Sequence, residues 1–313
     1  MRRRTVVLAG VVAAAVAGVM IGGVAASQAQ TISPAAIVAP PSVALGGSPY
    51  IYPVTGGKDP VAVMKSTGVK AFTLAFILAK GGCTPVWDSA GALSSSAVAN
   101  RINAIRKAGG DVVISVGGAS GSKLGNACSN ASALAGAYQK VIDAYKLRAL
   151  DIDLEAGEVS QSTKVLAALK ITKQKNPKVQ LILTLGTGTS GLVGGEAKIP
   201  GQAAKIGSPV DVWTIMPFDF GGQSGSDMGK LTLQASEGLH KQLKSALKLS
   251  DAQIYAMQGI SSMNGKTDEG ENVTVANFKT MLAYAHQHKL ARFTFWELNR
   301  DGNLQYTKVI GQF

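Results

Sequence analysis

Apolar blocks of five to eight residues recur along this chain, separated by longer stretches in which apolar positions return every three or four residues. The first pattern predicts buried strands and the second amphipathic helices. Strands are expected at 50–52, 71–78, 111–116, 150–155, 179–185, 210–216, 253–257 and 292–296. Helices are expected at 60–67, 94–108, 129–147, 160–175, 232–247 and 275–288. A loop carrying Cys83 and Trp87 follows the second strand, and a glycine-rich loop spans 186–195. Gly109-Gly110 and Asn176-Pro177 end two of the helices. Strands alternating with helices at this length predict an α/β fold, a (β/α)8 TIM barrel over 49–313. A doubly wound open sheet is the alternative, but no glycine fingerprint opens the first strand-to-helix turn.

One strand departs from the apolar norm. Leu150-Asp151-Ile152-Asp153-Leu154-Glu155 puts a carboxylate at every second position. Alternate side chains of a strand share a face and lie about 6.5–7 Å apart. Asp151, Asp153 and Glu155 therefore point one way, while Leu150, Ile152 and Leu154 point the other. Flanking helices imply a sheet covered on both faces. Acids inside such a sheet are costly unless paired, protonated or used in chemistry. Mutual repulsion predicts that at least one of the three has a raised pKa.

The start of the chain reads differently. Met1-Arg2-Arg3-Arg4 precedes an uncharged apolar run from Val6 to Ala26, and Ser27-Gln28-Ala29 offers a cleavage site. Residues 1–29 thus read as an export signal, with an uncleaved membrane anchor as the alternative. Residues 30–48, rich in Pro and Gly, read as a lead-in. The net charge of +12 includes the three signal arginines. No lysine or arginine run is dense enough for a nucleic-acid arm, so a soluble, basic, secreted monomer with no stable membrane association is expected. Export favours a disulfide between the two cysteines, Cys83 and Cys128, over two buried thiols.

Beside the acid triplet stand Ser115-Val116-Gly117-Gly118, Met216 with Asp219, and the segment 295–301; these four motifs in order resemble glycoside hydrolase family 18, the chitinases, in particular their single-domain bacterial branch. Asp151, Asp153 and Glu155 match the family's acidic signature. Ser115, Gly117 and Gly118 match its third-strand motif, and Met216 and Asp219 its sixth-strand motif. Phe295-Trp296-Glu297-Leu298-Asn299-Arg300-Asp301 is similar to its last strand. The resemblance implies a retaining hydrolase of chitin or chito-oligosaccharides, assisted by the substrate's own 2-acetamido group. Glu155 would be the general acid, Asp153 would orient the acetamido group, and Asp151 would support Asp153 from behind. Substrate would be bound by Asp219, Trp296, Met216, Phe218 and Gly118, with Tyr52 and Gln258 at neighbouring strand ends. No cofactor or metal is implied.

The chain departs from the family pattern at several positions. Arg148 and Ala149 stand where the longest form of the signature has Asp and Gly. Phe218 and Phe220 stand where a tyrosine is expected, and losing one donor to developing charge costs roughly 3–4 kcal/mol. That loss would favour a chitin-binding, lectin-like protein; Tyr255 is a candidate substitute hydroxyl. Other 2-acetamido glycans such as peptidoglycan fit the same chemistry. Glu297 adds a carboxylate where a small polar residue is usual. Trp87 and Trp213 read as packing residues, and His286 and His288 as a solvated helix end.

Overall fold

The computed structural model describes residues 36–54, 57–88, 90–222 and 225–313. The segment read as a signal lies outside them, as does residues 30–35 of the lead-in. Among the described residues no helix is long and apolar enough to cross a membrane.

Eight parallel strands form a (β/α)8 barrel: β1 (Tyr50–Ile51), β2 (Ala71–Lys80), β3 (Asp111–Gly117), β4 (Ala149–Leu154), β5 (Gln180–Gly186), β6 (Val212–Met216), β7 (Gln258–Met263) and β8 (Arg292–Trp296). Each pairs with the next in sequence, from β1 through to β8. The seam between β8 and β1 is held differently. Phe293 N–H donates to the Gly46 carbonyl at 3.1 Å, and Thr294 Oγ1 donates to the Ser48 carbonyl at 2.6 Å.

A helix follows every strand: α1 (Pro60–Thr67), α2 (Ser96–Lys107), α3 (Ala131–Tyr145), α4 (Ser162–Lys175), α5 (Ile199–Ile206), α6 (Met228–Leu247), α7 (Val275–His288) and α8 (Gln305–Ile310). Local chemistry sets their ends. Asp59 accepts the N–H groups of Val61 and Ala62 ahead of Pro60, and a Thr274/Asn277 capping box opens α7. The outward residues Leu150, Ile152 and Leu154 of β4 are fully buried beneath the helices.

Three sequence expectations need correction. The strand expected at 253–257 is instead a short helix, Asp251–Tyr255, opened by a Ser250/Gln253 capping box. The real seventh strand, Gln-Gly-Ile-Ser-Ser-Met, has only Ile260 and Met263 as large apolar residues and so carries a weak apolar signal. Helix α5 was not expected after the glycine-rich loop, nor was α8 near the chain end. The loop with Cys83 and Trp87 is an antiparallel extension of β2, through Thr84–Trp87 and Gly91–Ala92. A disulfide joins Cys83 to Cys128.

The interior is layered along the barrel axis, as such barrels require. At the amino end Leu45, Ala71, Val113, Ala149, Ile182 and Val212 form an apolar plug. Above it lie Thr73, Ser115, Asp151, Thr184, Thr214 and Thr294, all buried. The lead-in is tied beneath the plug: Arg106 Nη1 donates to the Val38 carbonyl at 2.8 Å, and Arg148 Nη2 to that of Val43 at 2.6 Å. Arg148 and Arg106 also share Asp111, at 2.9 and 2.8 Å. The charge of Arg148 is therefore spent at the opposite end of the barrel from the acids' open end.

Candidate active site

The carboxyl ends of the strands surround a cavity of about 220 Å³, with Asp153, Glu155, Met216, Asp219 and Trp296 among its walls. Three larger surface depressions lie elsewhere among the described residues, and none of the three brings several carboxylates together.

Asp151 lies deepest. Its Oδ2 accepts from the hydroxyls of Tyr50 and Ser115, each at 2.7 Å, and its Oδ1 from Thr184 Oγ1 at 2.7 Å. Three hydroxyls from three other strands thus satisfy it, and Ser115 acts as a structural donor. The backing expected of Asp151 toward Asp153 does not take the form of a direct hydrogen bond.

Asp153 is buried, and its Oδ1 has no hydrogen-bond partner among the described residues. Burial, then the charges of Glu155 and Asp151, push its carboxyl well above the usual range. Glu155 follows directly on β4 in extended conformation and is partly open to the cavity. Burial pushes its carboxyl up to about 7, against the opposing pull of Lys123, with Asp219 adding to the rise.

Trp296 forms an aromatic floor. It stacks on Phe76 with centroids 5.4 Å apart and meets Tyr50 and Tyr52 edge-on at 5.8 Å. Tyr52, Met216 and Phe218 also line the cavity. Gly118 supports the wall without lining it. Its N–H donates to the Asp153 carbonyl at 2.9 Å, and a β-carbon there would lie 2.8 Å from the Phe76 ring. Asp219 adopts a left-handed conformation, φ 54°, and its Oδ1 accepts the Glu269 N–H at 2.9 Å. That bond ties the loop after β6 to the loop after β7.

Other expected residues fall elsewhere. Gln258 starts β7 rather than following it, so it sits at the amino end, and its side chain donates to the Ser236 carbonyl of α6 at 3.2 Å. It does not line the cavity. The Tyr255 hydroxyl is bonded to Glu237 of α6 at 2.9 Å, outside the barrel, and cannot replace a cleft phenol. Glu297 is buried and caps the turn beyond β8 by accepting the Asn299 N–H at 3.0 Å. Trp87 and Trp213 are packed in the core.

Two cations escaped the sequence reading. Lys123 is buried beside the acids, its ammonium donating to the carbonyls of Gly117, Gly118 and Ser120. Arg292 is buried inside the barrel, bonded to Ser48 Oγ at 3.1 Å and Thr73 Oγ1 at 2.9 Å, and lies over the Tyr50 ring. Arg292 had a signal: Arg292, Thr294 and Trp296 alternate on one face of β8. Lys123 had none, since only the fold of the β3 loop turns it inward.

No family model matches the chain. Among curated proteins it is 30% identical over 274 residues to a probable bifunctional chitinase/lysozyme of Escherichia coli, and 29% identical over 272 residues to endochitinase 11 of Metarhizium anisopliae. Each alignment covers 81% of this chain, but only 30% and 52% of those proteins. Among solved structures, active domain 2 of the Pyrococcus furiosus chitinase, studied as catalytic-site mutants with chito-oligosaccharides, is 32% identical. That match covers 81% of this chain and 83% of the domain at a TM-score of 0.74.

Proposed function

The chain belongs to glycoside hydrolase family 18, and on that premise we propose that it is a secreted chitinase cleaving internal β-1,4 links between N-acetylglucosamine units with retention. The observation that carries this reading is the pairing, in one cavity, of a partly open acid raised to about 7 with a buried carboxyl one of whose oxygens has no partner among the described residues. Glu155 donates its proton to the glycosidic oxygen as the bond to the anomeric carbon breaks. The acetamido carbonyl oxygen forms the new bond to that carbon, giving an oxazolinium ion. Asp153 Oδ1 accepts the acetamido N–H and holds the group in line. Water, losing its proton to Glu155, then opens the ion on the face that retains configuration. Trp296 supports the sugar ring from below.

Secretion is supported by the basic, then apolar start of the chain and by the Cys83–Cys128 disulfide. A second reading, a chitin-binding lectin, is favoured by one observation: Phe218 lines the cavity where a phenol would donate to the reacting acetamido group. Mass spectrometry of products from chitohexaose decides between them, with Glu155→Gln alongside. Products from the wild type alone support the chitinase. Binding without products from either protein supports the lectin.

A further inference from the structure

The loops after β6 and β7 each lend a carboxylate to the backbone of the other. Glu271, in the loop after β7, is 1% exposed. Its Oε1 accepts the N–H groups of Phe220 and Gly222, at 2.7 and 3.3 Å, and its Oε2 accepts the Thr267 hydroxyl. In return Asp219, immediately before those donors, accepts the Glu269 N–H. Burial opposes a charge on Glu271, but the bonds from Thr267, Phe220 and Gly222 outweigh it and hold its carboxyl below the usual range. The frame that presents Glu271 is itself anchored. Gly265–Lys266 pairs antiparallel with Asn272–Val273. Arg300 donates to the carbonyls of Asn264 and Lys266, and the Tyr306 hydroxyl of α8 to that of Val273 at 2.9 Å. The β6 loop is the part that needs holding: Asp219, Gly221 and Gly222 all have positive φ. For Asp219 that conformation persists only where the surroundings enforce it.

We propose that Glu271 is a positioning residue of the active site, holding Asp219 in the cleft wall with Glu155 through the N–H groups of Phe220 and Gly222. The inference rests on the chitinase reading above and adds to it a residue that meets no substrate. Asp219 and Glu155 both line the cavity, whereas Glu271 does not. Of the charges acting on Glu155, Lys123 comes from the β3 loop and Asp219 from the β6 loop. Asp219 favours the protonated acid and Lys123 the ionised one. A β6 loop released from Glu271 lets Asp219 swing away, and Glu155 then gives up its proton at lower pH.

Titration of the Glu155 carboxyl by NMR in the substrate-free protein, assigned with Glu155→Gln, tests this. Asp219→Asn sets the scale, since it removes the charge outright and lowers the midpoint. Glu271→Ala, which frees both N–H groups, should lower it by about half as much. Glu271→Gln loses the same charge, but its amide oxygen still accepts from Phe220 and Gly222 and its NH2 group reaches Thr267 Oγ1. It should keep the wild-type midpoint. Asp219→Asn/Glu271→Ala should fall no further than Asp219→Asn alone, because Glu271 acts through Asp219. Should Glu271→Ala not fold, Gly222→Ala takes its place. A β-carbon there would lie 2.5 Å from the Glu269 carbonyl oxygen, parting the loops without touching either carboxylate, and the midpoint should again fall. An unmoved midpoint in the variant that opens the loops overturns the inference, as do equal shifts in Glu271→Ala and Glu271→Gln. Failure of the wild type to cleave chitohexaose overturns the chitinase reading instead, and the titration, made without substrate, still decides this one.

Discussion

The Tyr50 hydroxyl donates to Asp151 Oδ2 at 2.7 Å, joining the first barrel strand to the fourth across the interior. Both residues are almost wholly buried. The bond sets the position of Asp151 and leaves the Tyr50 ring free to pack edge-on against Trp296. The floor of the cleft and its deepest acid are therefore fixed by one side chain.

Removing that hydroxyl isolates its contribution. Tyr50→Phe keeps the ring and its packing but leaves Asp151 with two of its three donors. A buried acceptor deprived of a donor costs about 1–3 kcal/mol. Thermal unfolding should show a melting temperature several degrees lower, while Ser115→Ala, which removes the other donor to the same oxygen, should fall by a comparable amount. An unchanged melting temperature in both variants would show that the cluster contributes nothing to stability.

Glu155 makes stability depend on pH. Its carboxyl is pushed up to about 7 in the fold from an ordinary value of 4.5, chiefly by burial. The folded state then holds a proton that the unfolded chain has released. The stability this proton provides is complete below about pH 4.5 and is lost as pH rises through about 7. Glu155→Gln has no such proton to lose. It should match the wild type at low pH and exceed it above neutrality, by at most about 3 kcal/mol. Denaturant titrations across that window check the sign; a difference that does not vary with pH refutes it.

The acidic strand was legible because a period of two is a local property of six consecutive residues. The seventh strand was not, because Gln258, Ser261 and Ser262 are polar residues that only the fold buries, Gln258 against the Ser236 carbonyl of α6. The same limit hid Tyr50 and Lys123. Tyr50 meets Asp151 through a pairing 101 residues apart, and Lys123 turns inward only because three carbonyls of its own loop converge on it. Sequence pattern found the acids by their spacing. It could not find the groups that tune them, because those are assembled by the closure of the sheet.

Lys123 is the group best placed to tune the acid. Its charge opposes the effect of burial on Glu155, and also on Asp153. Lys123→Met removes that opposition, so the Glu155 carboxyl should rise further and stay protonated to higher pH. Because activity is lost as the acid ionises, the alkaline limb of the kcat profile should move upward. A purely structural lysine would lower activity at all pH values without moving the limb, which the profile distinguishes.

Two glycines offer opposite outcomes for the same substitution. Gly117 ends β3 at φ 115°, and a β-carbon there would lie 2.1 Å from the Asp153 carbonyl oxygen. Gly117→Ala must displace the backbone that carries Asp153, and should cost several kcal/mol as well as turnover. Gly136 lies inside α3 with nothing within 4 Å of its added β-carbon. Gly136→Ala should stabilise the protein by about 0.5–1 kcal/mol, through helix propensity alone. Equilibrium unfolding of both variants reads the two signs.

The disulfide ties the β2 extension to the segment before α3, closing a loop across 45 residues. Cross-linking a loop of that length restricts the unfolded chain by an amount worth about 4 kcal/mol in the chain-entropy account. Both cysteines lie outside the cavity, whereas Asp88 at its rim follows directly on the Thr84–Trp87 strand that the bridge anchors. Cys83→Ser/Cys128→Ser should therefore unfold at markedly lower denaturant concentration. At temperatures where it remains folded, the cleft acids should keep their positions, so the pH profile of activity should be retained. A shifted profile in the folded variant would mean that the bridge also positions the acids, and an unchanged denaturation midpoint would mean that it stabilises nothing.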